Sequence, residues 1–155
     1  MIRALGEQRV EYVIIGGVAL AMHGSAYLTN DLDIAYERSA ENVARLVAAL
    51  KPLHPRLRVG AAGEELEFVF DARTIQNGMN FTLATDAGNI DLLGRVAGFD
   101  SYGELKGASG SLAFDDGTVA VLTIDGLLRS KKASGRTKDQ LVLPELEALR
   151  EARPD

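Results

Sequence analysis

The sequence predicts a mixed α and β fold, and three observations carry that prediction. Two β-rich apolar runs lie near the N-terminus, at residues 11–15 and 32–36. The stretch 40–50 spaces its apolar residues as an amphipathic helix does. Two tight-turn signals, around residues 86–88 and 115–117, sit between β-rich segments and indicate hairpins. Strands and helices therefore interleave along one chain.

The N-terminal third contains three predicted helices and two predicted strands. In chain order they are helix 2–9, strand 11–15, helix 18–23, strand 32–36 and helix 40–50. Gly16-Gly17 ends the first strand, and Gly24 can supply a helix C-cap. Ser39 is a suitable N-cap for the third helix, which Pro52 ends because proline interrupts helical hydrogen bonding.

The rest of the chain is predicted to hold a strand, two hairpins and two helices. In chain order they are strand 67–70, an irregular stretch 73–78, hairpin strands 80–84 and 89–93, hairpin strands 111–114 and 118–122, and helices 123–134 and 138–151. Thr123 can cap the first of these helices. Gly135 breaks the helical pattern between them.

Composition bounds the function. The 155 residues suffice for one domain with a real core, predicted to span 1–155. The absence of Cys excludes disulfides and thiolate metal sites. No apolar run approaches a membrane span, and the N-terminus lacks a signal core, so a cytoplasmic protein is expected. The net charge of −5 argues against an extended nucleic-acid surface.

Asp31 and Asp33 form the first candidate site. On a strand, residues i and i+2 point to the same side, so the two carboxylates share one face with stems about 7 Å apart. Two like charges so close favour a cation between them, and hard oxygen ligands suit Mg²⁺ or Mn²⁺. Two solvated aspartates on an exposed strand edge would give the same sequence pattern, and glycosyltransferases also use Asp-x-Asp. The pair alone therefore does not identify the reaction.

Asp91 is the third candidate. It interrupts the apolar run Asn89-Ile-Asp-Leu-Leu93, and a charge inside such a run is costly to bury without a partner. Ile90 and Leu92 would face the core and leave Asp91 on the other face. We expect its strand to lie beside the Asp31 strand, so that three carboxylates converge. An exposed aspartate on a sheet surface is the plainer alternative.

Glycines and basic residues mark a possible anion site. Gly16-Gly17 lies between a strand and a helix, where a phosphate can approach free backbone N–H groups. A tight turn would also need glycine there. Five basic residues fall between positions 129 and 138: Arg129, Lys131, Lys132, Arg136 and Lys138. They are either a solvated helix face or part of a phosphate site. Asp139 is expected to be structural, as a cap or as a partner for Lys138.

Together these elements resemble the DNA polymerase β-type nucleotidyltransferases, over Tyr12 to about Leu149. The apolar run ending in Gly16-Gly17, followed after thirteen residues by Asp31-Leu-Asp33, looks like the family's glycine motif and Asp-x-Asp strand. Asp91 matches its third carboxylate. The resemblance implies an α+β nucleotidyltransferase fold, with a mixed sheet flanked by helices and helices at the C-terminus.

The resemblance also implies a mechanism. Asp31, Asp33 and Asp91 would be the catalytic and Mg²⁺ (or Mn²⁺) binding residues. Five residues would bind a nucleoside triphosphate: Gly16, Gly17, Lys131, Arg136 and Lys138. The acceptor hydroxyl stays open among an RNA end such as that of tRNA, a protein and a small molecule. A non-catalytic nucleotide- or partner-binding module on the same fold is the alternative.

The C-terminal part is similar to the abortive-infection type of nucleotidyltransferase toxin. Those proteins carry a Lys, an Arg and an Asp in that order in a helical segment, and Lys131, Arg136 and Asp139 match it. Val18 stands where such toxins usually have Ser or Thr. A role in a toxin–antitoxin system is therefore an expectation from resemblance.

Overall fold

The computed structural model describes residues 1–26 and 28–153, and within them eight strands form one mixed sheet. The strands are β1 Tyr12–Ile15, β2 Asp31–Tyr36, β3 Arg56–Val59, β4 Glu64–Leu66, β5 Asn80–Thr85, β6 Gly88–Leu93, β7 Ser109–Phe114 and β8 Gly117–Leu122. Their order across the sheet is β4-β3-β5-β6-β2-β1-β8-β7. This α+β arrangement is the predicted fold class.

Helices pack around this sheet. They are α1 Ile2–Glu7, α2 Gly16–Met22, α3 Ala40–Leu50, α4 Ala72–Asn77, α5 Tyr102–Gly107, α6 Ile124–Ser134, α7 Thr137–Gln140 and α8 Leu143–Ala152, with a 3₁₀ turn at Lys51–Leu53. α3 packs against α1 and α4, whereas α6 packs against α8. Among the described residues, no helix is both long and apolar enough to span a membrane.

The two central strands that carry the carboxylates are parallel neighbours. β2 pairs with β6 so that Asp33 stands opposite Asp91. Side chains alternate on both strands: Ile34 and Leu92 are fully buried, while Asp33 and Asp91 are only partly buried. The apolar face anchors the strands in the core, which fixes the position of the acidic face.

Several predicted caps are confirmed. The hydroxyl of Ser39 accepts a hydrogen bond from the N–H of Asn42, and that of Thr123 accepts one from Gly126. Gly135 adopts the left-handed conformation (φ 65°) that ends α6. Both predicted hairpins are also present, as β5–β6 and β7–β8.

The predicted strand at 67–70 is wrong. That stretch has no regular structure, and β3 and β4 form a hairpin just before it. Phe68 and Phe70 pack edge to face with ring centroids 5.9 Å apart, and Phe70 is buried. The segment is irregular, but both rings pack against the core while the residue between them stays exposed. This arrangement produces the same alternation of apolar and exposed residues as a strand.

Three helix predictions also need correction. The stretch 73–78 is not irregular: α4 occupies it, capped by Asp71 and anchored by the fully buried Ile75. α5 was missed, because its six residues include Gly103 and Gly107, which weaken the helical pattern. The last helix is divided into α7 and α8, and Pro144 sits in the first turn of α8, where its missing N–H costs nothing.

Candidate active site

The three predicted carboxylates meet on one face of the central sheet. Asp31 and Asp33 lie two residues apart on β2, and Asp91 is the direct partner of Asp33 on β6. Neighbouring strands lie about 4.8 Å apart, so the side chains of Asp33 and Asp91 approach closely. The prediction that the Asp91 strand lies beside the Asp31 strand is therefore confirmed.

Asp33 carries the electrostatic strain of this cluster. Burial raises the pKa of its carboxyl to about 7. Repulsion from Asp91, a hydrogen bond shared with Asp91 and repulsion from Asp31 act in the same direction, while Lys131 opposes them. A carboxylate that is so costly to ionise is typical of functional sites, where an incoming ligand supplies the missing positive charge.

Arg58 is the residue of this site that the sequence analysis missed. Its guanidinium lies 2.7 Å from Oδ1 of Asp91 and 3.5 Å from Oδ2 of Asp31, and only 18% of the side chain is exposed. It projects from β3, which was not predicted. The alternation in Arg56-Leu-Arg-Val59 was the available signal, since it places two basic side chains on one face of a strand.

Gly16 fits closely beside Asp33. Its φ of +68° lies in the left-handed region, and a Cβ on it would overlap the carboxylate of Asp33. The glycine pair was predicted to precede the helix. Instead, α2 begins at Gly16 itself, so both glycines belong to its first turn. Any larger residue here would displace a carboxylate of the cluster.

A cleft of about 380 Å³ lies between Asp33 and the basic segment. Gly16, Asp33, Lys131, Arg136 and Asp139 are among the residues that line it. Of the predicted nucleotide-binding residues, three therefore share one cleft with a predicted metal ligand. Gly17 is buried inside α2, and Lys138 is exposed and does not line this cleft.

The basic side of the cleft is built around Asp139, which is 1% exposed. Its carboxylate accepts hydrogen bonds from Lys131 Nζ (2.9 Å), Ser134 Oγ (2.5 Å) and Arg136 Nε (2.7 Å). Burial opposes ionisation of Asp139, but these three hydrogen bonds outweigh it and lower its pKa well below the ordinary value. The expected roles of Asp139 as a cap or as a partner for Lys138 are wrong: α7 has no side-chain cap hydrogen bond, and the carboxylate pairs with Lys131 and Arg136.

The chemistry of the acidic cluster suits a divalent cation. Three carboxylates, which are hard oxygen donors, share one face of two adjacent strands, and the guanidinium of Arg58 pairs with two of them, Asp31 and Asp91. Among the described residues, however, no three acidic or imidazole side chains already have the spacing of a metal centre. Binding would require the carboxylates to close around the ion.

Solved structures that superpose on this chain include nucleotidyltransferases. A Thermotoga maritima protein provisionally described as one superposes with a TM-score of 0.55 at 13% identity, covering 97% of this chain and 89% of that one. The chain has the nucleotidyltransferase fold. No protein-family model and no curated protein matched the sequence.

Two structures of the antibiotic-resistance factor ANT(2'')-Ia share the nucleotidyltransferase fold with this chain. The crystal structure, a complex with adenylyl-2''-tobramycin, has a TM-score of 0.55 at 15% identity and covers 97% of this chain and 91% of that one. The solution structure has a TM-score of 0.53 at 17% identity, with 97% and 85% covered. At these identities the likeness concerns the fold and not the substrate.

Proposed function

We propose that this protein is a nucleotidyltransferase that transfers a nucleoside monophosphate from a nucleoside triphosphate to an acceptor hydroxyl. One observation carries the proposal. Asp33 stands opposite Asp91 on neighbouring parallel strands, Asp31 lies two residues before Asp33 on the same face, and Asp33 lines a cleft together with Gly16 and Lys131. A structural role alone gives no reason to gather three carboxylates beside one guanidinium that pairs with only two of them.

Asp31, Asp33 and Asp91 would hold Mg²⁺ or Mn²⁺. Such an ion, when bound, offsets charge on the phosphate oxygens and on the acceptor oxygen. The raised pKa of Asp33 supports this role, since a divalent cation would stabilise the ionised carboxylate that burial and its neighbours disfavour.

The transfer itself is a displacement at the α-phosphorus. The acceptor oxygen forms a bond to phosphorus, the bond to the bridging oxygen breaks, and pyrophosphate leaves with that electron pair. The proton of the acceptor hydroxyl passes to a base, and Asp91, next to Asp33 on the neighbouring strand, would be that base.

The triphosphate would lie in the cleft. Gly16 and Gly17 open α2, and the first N–H groups of a helix have no acceptor within it, so the N–H of Gly16, which lines the cleft, would donate to a phosphate oxygen. Gly17 is buried in the same turn and would contribute less. Lys131 and Arg136 supply two positive charges against the single charge of Asp139, which leaves a net positive charge at this wall. Lys138 is the weakest member of the proposed set because it lies outside the cleft.

Three classes of acceptor remain to be tested: an RNA end, a protein hydroxyl and a small molecule. ANT(2'')-Ia was solved with an adenylylated tobramycin, so a polyhydroxylated compound of this kind is the small molecule to test first. The Lys, Arg and Asp that resemble the abortive-infection toxins meet as one ion-pair cluster. A structural helix junction would show the same contact, so the toxin-type role rests on the sequence resemblance alone.

Labelled nucleotide separates transfer from binding. The protein is incubated with each α-³²P-labelled nucleoside triphosphate and Mg²⁺, with total RNA, cell extract or tobramycin as acceptor. We expect label on one acceptor class with the parent and with Asp125→Asn, a control at an exposed carboxylate. Asp33→Asn and Asp91→Asn should transfer none. Triphosphate binding without any transfer would instead favour the non-catalytic module.

A further inference from the structure

Arg58 reaches across two strands to the carboxylate cluster. Leu57 of β3 pairs with Leu83 of β5, so Arg58 falls at the position of Thr82, whose partner on β6 is Asp91. The short Thr82 side chain leaves room for the guanidinium to pass over it. Nε of Arg58 donates to the carbonyl of Leu83 at 3.2 Å, which fixes the base of the guanidinium.

From these contacts we infer that Arg58 is a resident counter-ion that competes with the divalent cation for Asp31 and Asp91. The inference deepens the proposed function and rests on it. Without metal, the guanidinium bridges the two carboxylates. The ion binds only when Arg58 gives up at least the weaker of its two contacts, the one to Asp31.

The two contacts differ in a way that favours this exchange. The Asp91 contact at 2.7 Å is a full charge-assisted hydrogen bond, whereas the Asp31 contact at 3.5 Å is at the limit of one. Oδ1 of Asp31 accepts a second weak hydrogen bond from Asn89, at 3.3 Å. Asp31 is therefore held loosely on both oxygens and can turn toward an ion at little cost.

Charge explains why such a residue is needed. Three carboxylates on one face of β2 and β6 repel one another, and Arg58 pairs with two of them, Asp31 and Asp91. The same charge repels an incoming cation. Arg58 thus stabilises the three carboxylates at the expense of metal affinity, and a metal-bound nucleotide that brings its own ligands overcomes that cost better than the free ion does.

The test compares substitutions at two arginines of β3. Arg58→Gln removes the bridging charge. Arg56→Gln removes an equal charge two residues away, where Arg56 pairs with Glu65 and Asp86 at the surface. Arg58→Lys keeps a charge, but a single ammonium group cannot span both carboxylates. The dissociation constant for Mn²⁺ without nucleotide is measured by titration calorimetry, together with the melting temperature in EDTA.

We expect Arg58→Gln to bind Mn²⁺ about tenfold more tightly than the parent, the scale set by removing one nearby unit charge. It should also melt at a lower temperature in EDTA. The Mn²⁺ affinity and melting temperature of Arg58→Lys should lie between those of the parent and of Arg58→Gln. If Arg58→Gln does not fold, Arg58→Lys is the variant that decides the test. Arg56→Gln should bind Mn²⁺ as the parent does.

Unchanged or weaker Mn²⁺ binding in Arg58→Gln, with the parent still binding, overturns the inference and leaves the proposed function standing. An equal gain in Arg56→Gln overturns it too, because net charge would then be the cause. If no form binds Mn²⁺, the inference falls together with the metal role of the carboxylates. Nucleotide transfer is judged separately by the labelled-nucleotide assay.

Discussion

Two charge clusters meet at one cleft, which Asp33 lines on one side and Asp139 with its cations lines on the other, and their compositions are opposite. In the acidic cluster, formed by Asp31, Asp33 and Asp91, three carboxylates lie together and the guanidinium of Arg58 pairs with two of them, Asp31 and Asp91. In the second, the single buried carboxylate of Asp139 meets two cations and a hydroxyl. The acidic cluster therefore has a net negative charge, and the Asp139 cluster has a net positive charge.

The pKa values of the two clusters move in opposite directions for this reason. That of Asp33 is raised, because burial and neighbouring carboxylates disfavour its charge. That of Asp139 is lowered, because hydrogen bonds from Ser134, Lys131 and Arg136 outweigh its burial. We call the Asp139 cluster satisfied, because its carboxylate is fully paired, and interpret it as a support of the helix junction. We call the acidic cluster unsatisfied and interpret it as the part that binds a ligand.

The largest expected effect is on the satisfied cluster. Asp139→Asn leaves Lys131 partly buried without a counter-charge, which should cost about 3 kcal/mol of unfolding free energy at pH 7. Because the pKa of Asp139 is lowered in the folded state, its contribution is complete above about pH 5 and is lost as the pH falls below about 4. Urea unfolding of both proteins across that range measures it, and a difference that persists undiminished at low pH would contradict the ion-pair account.

The next effect is on triphosphate affinity. Lys131→Gln removes a charge from the cleft, while its amide can still donate to Asp139. We expect affinity for a nucleoside triphosphate to fall by about 1–3 kcal/mol, the range for losing a charge-assisted contact. Titration calorimetry with ATP and GTP measures the change. Lys51→Gln, at an exposed position after α3, is the control, and equal affinities for all three proteins would remove Lys131 from the site.

The acidic cluster was predictable from sequence because its signal is local. Alternation along β2 and β6 placed Asp31, Asp33 and Asp91 on polar faces, and the apolar residues between them fixed the register. Thr123 and Gly135 likewise marked the ends of α6 through side-chain and backbone chemistry of their own. Each of these features depends on a few neighbouring residues.

Arg58 and the partners of Asp139 were not predictable in the same way. Arg58 meets Asp91 across 33 positions of sequence, through a strand of four residues that shows no strong apolar run. Asp139 lies next to Lys138 in sequence, yet the split between α7 and α8 directs it to Lys131 and Arg136 instead. The contacts of Arg58 with Asp91 and of Lys131 with Asp139 are set by how the elements pack, which local patterns do not encode, whereas Arg136 and Asp139 are i,i+3 neighbours.

A smaller effect tests the unsatisfied cluster directly. Asp33→Asn removes a charge that the metal-free protein holds at a cost, so it should raise the unfolding free energy by about 1 kcal/mol at pH 8, after allowance for partial exposure. Because the pKa of Asp33 is raised on folding, the cost in the parent grows as the pH rises from about 4 to 7 and is complete above that. The gain should therefore vanish near pH 4. Unfolding in EDTA measures it, and a destabilised variant at pH 8 would contradict this picture.

The smallest expected effect separates Lys138 from Lys131. Both were predicted to bind the triphosphate, but Lys131 lines the cleft and Lys138 is exposed outside it. A charge in open solvent acts weakly at such a distance, since water and salt screen it over about 8–10 Å. Lys138→Gln should therefore lower triphosphate affinity by less than about 0.5 kcal/mol, and that small change should disappear in 0.5 M salt, whereas the loss in Lys131→Gln should largely persist because its Nζ is partly buried. Calorimetric titration of both variants at low and high salt makes the comparison. A loss in Lys138→Gln as large as in Lys131→Gln would mean that α7 moves onto the bound nucleotide. Lys138 would then belong to the basic wall of the cleft.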